Sequence, residues 1–145
     1  MKKIPDIVNE LKDKFLTNNP FELCDLLGII VLKIDLPENI NGFFHYNGGR
    51  KCIYINNSLS KKKAEFCCAH ELGHAILHNK MNTLYLSSDT FFHTEKFETQ
   101  ADTFASFLLF DDADILYEQY GLTTQSQICS FYGIDERIAK LRYEN

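Results

Sequence analysis

Apolar residues recur at Ile4, Ile7, Val8, Leu11 and Phe15, a helical spacing that predicts an amphipathic first helix. Asn18-Asn19-Pro20 breaks it, and a short helix over 21–27 is expected before Gly28. The period then changes. Residues 29–36 are β-branched and apolar and read as a strand. Two more strand-like runs, Gly42–Tyr46 and Lys51–Asn56, are joined by Asn47-Gly48-Gly49-Arg50, a hairpin signal. Ser58 or Ser60 can cap a helix running to about His78. Residues 79–93 are polar and irregular in pattern, with one short extended piece over Thr83–Leu86, and a second strong helix is expected over 95–110. Short helices over 112–120, 124–132 and 136–143, separated by Gly121 and Gly133, make up the tail. The order is helices, a small sheet, then mostly helices: an α+β chain. The best break is Asp111-Asp112, which leaves residues 1–110 as a core and 111–145 as a helical extension of it or of the same domain.

Composition narrows the classes. The chain has 145 residues, which fits one domain. It is 45% hydrophobic and 13% aromatic, enough for a packed core without staples. A net charge of -5 argues against a protein that coats nucleic acid by charge, although Lys61, Lys62 and Lys63 form a local basic run. The longest apolar run, Leu26–Leu32, is about a third of a membrane span. Met1-Lys2-Lys3 leads into a mixed polar stretch with no apolar h-region, so no signal peptide is expected. The five cysteines are odd in number and form no C-x-x-C pair. Reduced thiols in the cytoplasm are the economical reading.

Three of the five histidines fall within residues 70–78, two of them as His70-Glu71-Leu72-Gly73-His74. On a helix, residues four apart point about 40° from each other on adjacent turns, so both rings can reach one cation. Glu71 sits about 100° round from His70, where it can meet a water on that cation but not join the same tetrahedral shell. H-E-x-x-H divides labour in this way: two ligands and a general base. By chance the motif also occurs in unrelated helices. Its apolar flanks, Phe66, Ala69, Leu72, Ala75, Ile76 and Leu77, make this helix largely buried, and buried histidines and a glutamate need partners.

A catalytic zinc needs a third protein ligand and an open position. His78, His93, Glu95 and Glu98 are the candidates. His78 lies about 12 Å along the helix from His70, too far for one cluster, and reads as a helix-end histidine facing the dipole. His93 and Glu95 lie in or beside the irregular segment. Glu98 starts Glu98-Thr99-Gln100-Ala101-Asp102 on the second strong helix, so Glu98 and Asp102 share a face. Glu98 can bind the metal while Asp102 accepts the free ring N–H of a ligand histidine. Gly73, Ala101 and Ala105 allow the two helices to approach closely.

Ala69-His70-Glu71-Leu72-Gly73-His74 with Leu77-His78, then Glu98, Ala101, Phe104-Ala105 and Leu108-Leu109, resembles the ImmA/IrrE family of zinc metallopeptidases, as do Ile53, Ile55-Asn56 and Phe66. The resemblance spans roughly residues 40–110. Where that family often has Met-Pro after the Leu-Leu pair, Phe110-Asp111-Asp112 stands here, which changes the helix exit and not the ligands. The resemblance implies a zincin-like core, a third ligand from the Glu-bearing helix, and a cytoplasmic protein of a phage, mobile element or bacterium that acts on a repressor.

The expected function is therefore a Zn2+-dependent endopeptidase with ligands His70, His74 and Glu98, Glu71 as general base, Asp102 behind a ligand, and a helix-turn-helix repressor as substrate. The alternative is an anti-repressor or regulatory binding protein that keeps the fold and works without hydrolysis. A substrate peptide is expected along Ile53–Asn56, taken as a free edge. His45, Tyr46, Tyr54, Tyr85 and His93 are candidates to stabilise the oxyanion, each more readily structural. Cys67 reads as a small buried apolar residue rather than a thiolate switch on the zinc. Residues 124–138 have helix-turn-helix spacing, but Arg137, Lys140 and Arg142 among Asp135, Glu136 and Glu144 favour a docking or structural pair over a DNA reader.

Overall fold

The computed structural model describes residues 2–78 and 91–144. Helix α1 (Ile4–Phe15) carries Pro5 in its first turn and ends at Leu16, whose φ of 56° reverses the chain. Helix α2 (Pro20–Leu26) is capped by Asn19, whose side-chain oxygen accepts from the Phe21 and Glu22 amides. Strands β1 (Ile30–Ile34), β2 (Gly42–Asn47) and β3 (Arg50–Asn56) follow. Gly48 and Gly49, at φ 58° and 83°, form the two-residue turn between β2 and β3. Only residues tolerant of positive φ at both positions fit such a turn, which explains the Gly-Gly pair.

The sheet order is β1-β3-β2, with β1 parallel and β2 antiparallel to β3. Residues 53–56 are thus in the central strand, and the expected free edge is corrected. The reason is burial. Ile53 and Ile55 are fully buried and both neighbours cover β3, whereas Ile30 and Leu32 of β1 remain half-exposed. Asn56 closes the sheet. Its buried amide donates to the carbonyls of Leu36, Pro37 and Ile40, and its oxygen accepts from the Ser58 amide and hydroxyl.

Ser60, not Ser58, caps α3 (Lys61–Leu77), accepting from the Lys63 amide at 3.3 Å. From Cys67 to Ala75 nearly every side chain of α3 is buried. Helix α4 (Phe91–Leu109) packs along it and begins one turn earlier than expected, since no glycine or proline interrupts residues 91–109. His93 accordingly falls within α4. The extended piece over Thr83–Leu86, with Tyr85, lies outside the described residues. Phe44, Ile53, Ile55, Leu72 and Phe104 are fully buried, each contributing about 1.5–3 kcal/mol.

Helices α5 (Ala113–Tyr120), α6 (Gln125–Tyr132) and α7 (Glu136–Tyr143) complete the chain, α5 and α6 ending at Gly121 and Gly133 in the left-handed region. Thr124 and Gln127 form a reciprocal capping box on α6. The tail is fastened to the end of α4. Buried Arg142 donates to the Phe110 carbonyl at 3.0 Å and to Asp112 at 2.6 Å, and Tyr143 donates to the Asp111 carbonyl at 2.8 Å. Two of the three basic residues of α7 are thereby paired within the chain, buried Arg142 here and exposed Arg137 with Asp102. No helix of the described residues is long and apolar enough to cross a membrane.

Gly42 marks where sheet and helix meet. A Cβ there would lie 2.5 Å from the Tyr54 carbonyl oxygen and 2.6 Å from Cys67 Sγ. Gly42→Ala must displace backbone, and overpacking of this kind costs about 1–3 kcal/mol. Urea unfolding should show a lower midpoint with an unchanged slope. An unchanged midpoint would mean that the sheet yields freely at this point.

Candidate active site

Helix α3 presents His70 and His74 on adjacent turns, and α4 presents Glu98 opposite them. One ligand atom from each lies within 4.8 Å of the others. The Glu98 carboxylate bridges the two rings, with Oε1 2.7 Å from His74 Nε2 and Oε2 3.0 Å from His70 Nε2. Two imidazoles and a carboxylate converging from two helices suit a tetrahedral cation with one position left open. Glu71 stands beside the cluster, 3.8 Å from His70 Nε2, and its buried Oε1 has no hydrogen-bond partner among the described residues. The 3.8 Å contact is made by Oε2, so a water on a cation at this cluster would offer the Glu71 carboxylate a donor.

Each ring is held from behind. His70 Nδ1 lies 2.7 Å from Asp102 Oδ1, and Asp102 Oδ2 accepts from Arg137 on α7. His74 Nδ1 lies 3.1 Å from His78 Nδ1, and His78 Nε2 lies 2.7 Å from Gln100 Oε1. The spacing of Glu98 and Asp102 anticipated the first arrangement. The second was missed. The His78 side chain turns to His74 and Gln100: burial, the leading cause, pushes its pKa down, and its ring packs at a tilt against Phe97, centroids 4.3 Å apart. Only the position of Gln100, two residues after Glu98, hinted at a role. Arg137 could not be placed from spacing, because it reaches the site from the last helix.

The electrostatics follow from this packing. Burial opposes a charged His70, but the carboxylates of Asp102 and Glu98, with Glu71 behind them, outweigh it and raise its pKa to about 10. Burial is also the largest influence on Glu98, yet the two histidines overcome it and hold its carboxyl far below the usual range. Glu71 shifts the other way: burial raises it, and Glu98 and Asp102 add to the effect, against the two histidines. A carboxylate of raised pKa is a better proton acceptor. Burial, then Glu71, pushes the Cys67 thiol up to about 12, which agrees with the apolar reading of that residue. His45, Tyr46 and Tyr54 do not line the cleft at the site, and Tyr54 stacks on Phe43. The side chain of His93 and all of Tyr85 lie outside the described residues, and Glu95 is exposed and not part of the cluster.

A cleft of about 1120 Å³ opens onto the cluster. Gly42, Phe66 and Glu71 lie on the side of the sheet and α3; Phe110, Tyr132 and Ile134 lie on the side of α4 and the tail.

A small sheet, a histidine-bearing helix and a glutamate-bearing helix together define a zincin-like α+β metallopeptidase fold. The chain belongs to the family of the IrrE N-terminal-like domain, a peptidase family whose model matches residues 24–144. It is 36% identical over 135 residues to an "Uncharacterized immunity region protein 2" of Bacillus phage phi105, covering 93% of this chain and 85% of that protein. It is 38% identical over 98 residues to "Metallopeptidase ImmA" of Bacillus subtilis (strain 168), covering 66% of this chain and 56% of that one. No solved structure matches the chain.

Without metal, His70 makes stability depend on pH. Its folded pKa, about 10, exceeds the ordinary 6.5, so its contribution is complete below 6.5 and is lost as pH rises towards 10. In excess chelator, the melting temperature should fall across that interval, and by less in His70→Gln. Equal slopes in the two proteins would remove His70 as the cause.

Proposed function

We propose that this chain is a zinc-dependent endopeptidase that cleaves a helix-turn-helix repressor of a phage or mobile element at a specific site, in the cytoplasm. The observation that carries this reading is the convergence of His70, His74 and Glu98 beside Glu71, whose buried Oε1 has no partner among the described residues. His70, His74 and Glu98 would hold the ion, and Asp102 would orient His70. Zinc bound there supplies a Lewis acid that polarises a peptide carbonyl and makes water acidic. Glu71 accepts the proton of the attacking water and returns it to the departing amine. The cleft sets which chain segment reaches Glu71. Gly42, at the start of the outer strand β2, lines it, so an extended peptide would lie along β2 instead of the covered β3. The repressor as substrate rests on the names of the relatives, one a protein of a phage immunity region and the other a metallopeptidase.

The purified protein should carry about one zinc per chain, which His70→Ala, His74→Ala and Glu98→Ala should each largely lose. Undiminished binding by Glu98→Ala would displace that residue from the ligand set. Glu71→Gln should keep zinc and lose activity roughly 10²- to 10⁴-fold. Wild type and Glu71→Gln are incubated with a candidate helix-turn-helix repressor, and fragments are followed by intact mass. Repressor inactivated intact, equally by both proteins, would sink the peptidase and leave a binding protein that works without hydrolysis.

A further inference from the structure

The hydrogen bonds behind His74 have a direction. Gln100 Oε1, the amide's acceptor, lies 2.7 Å from His78 Nε2, so that nitrogen carries the proton. Nδ1 is then the His78 nitrogen turned to His74, 3.1 Å from His74 Nδ1. A histidine that binds a metal through Nε2 carries its proton on Nδ1 and needs an acceptor there. His74 Nε2, the atom left for the metal, faces Glu98. From this geometry we propose that His78 and Gln100 are positioning residues: a hydrogen-bonded relay that holds the His74 ring, so that Nε2 is presented to the metal. The proposal rests on the reading of His70, His74 and Glu98 as a metal site.

The two histidines are thereby oriented by different chemistries. His70 leans on an anion, Asp102, itself paired with Arg137. His74, which is almost fully buried, leans on an imidazole and an amide. A second carboxylate behind His74 would add another negative charge to a site that already holds Glu71, Glu98 and Asp102. The relay supplies the acceptor without that charge. Its sequence basis is plain afterwards: His78 is one turn beyond His74 on α3, and Gln100 lies between Glu98 and Asp102 on α4.

The test is zinc affinity, measured by competition with a chromophoric chelator on the full chain. His78→Phe keeps a ring against Phe97 and removes both nitrogens. It should weaken zinc binding about 10- to 100-fold, the usual consequence of losing a partner behind a ligand histidine. Gln100→Met, close in shape and without an acceptor, should weaken it by less. Gln100→Glu restores an acceptor and should bind at least as tightly as wild type, an outcome that packing alone does not produce. In the His78→Phe background, Gln100→Met should add nothing, because the relay is already cut. Melting temperatures of the chelated variants report the fold separately. Wild-type affinity in His78→Phe, or equal weakening by Gln100→Met and Gln100→Glu, overturns the relay while leaving the metal site standing. A wild type that takes up no zinc overturns the metal site and the relay with it.

Discussion

The site depends first on how closely α3 approaches α4. Gly73 faces Phe104, and a Cβ on it would lie 3.1 Å from Phe104 Cβ. On the α4 side, Ala101 and Ala105 are fully buried with little bulk to hold the helices apart. A glycine inside a helix costs about 1 kcal/mol in propensity. Here that loss is set against proximity: Glu98 has a short side chain, and its carboxylate must meet two imidazole nitrogens at once. Ligand bonds to zinc span only about 2.0–2.2 Å, so a shift of one ångström between helices would break the triangle. The motif defines a site only because Gly73 within it and Ala101 and Ala105 across from it are small.

Closeness brings a second constraint, since polar groups buried between helices must find partners. Asp102 accepts from His70 with one oxygen and from Arg137 with the other. His74, His78 and Gln100 form a continuous hydrogen-bonded chain. Glu71 Oε1 is the exception among the described residues. An unmade buried hydrogen bond costs about 1–3 kcal/mol. The carboxylate that carries this orphaned oxygen has its other oxygen 3.8 Å from His70 Nε2, at the histidine–glutamate cluster and not elsewhere in the core, which is what a group reserved for a reacting water would look like.

What was legible in the sequence was local. Helix periods, the Gly48-Gly49 turn and the shared face of Glu98 and Asp102 depend on residues a few positions apart, and the structure has them. The order of the strands was not legible, because a β1–β3 parallel pair and a β2–β3 hairpin differ in nothing that either strand's own pattern records. His78 was misread for a related reason. The dipole argument treats a helix end as facing water, but α4 buries this one against Gln100 and Phe97. Arg137 was weighed only as a possible contact to DNA, since nothing near it in the chain announces Asp102.

The tail changes how selectivity is best understood. A free helix-turn-helix pair would turn its cations outward, yet Arg137 reaches Asp102 and Arg142 reaches Phe110 and Asp112. The same helices and the turn between them contribute Tyr132, Ile134 and Ile138 to the cleft wall. Between α6 and α7, Gly133 in the left-handed region makes the turn that brings this apolar wall and Arg137 to the same side of the molecule. One helical pair thus both borders the cleft and braces the carboxylate behind His70. A segment gripped by that wall would press on elements that also hold the site in shape, because the cleft wall and the support of His70 are built from one set of contacts rather than two.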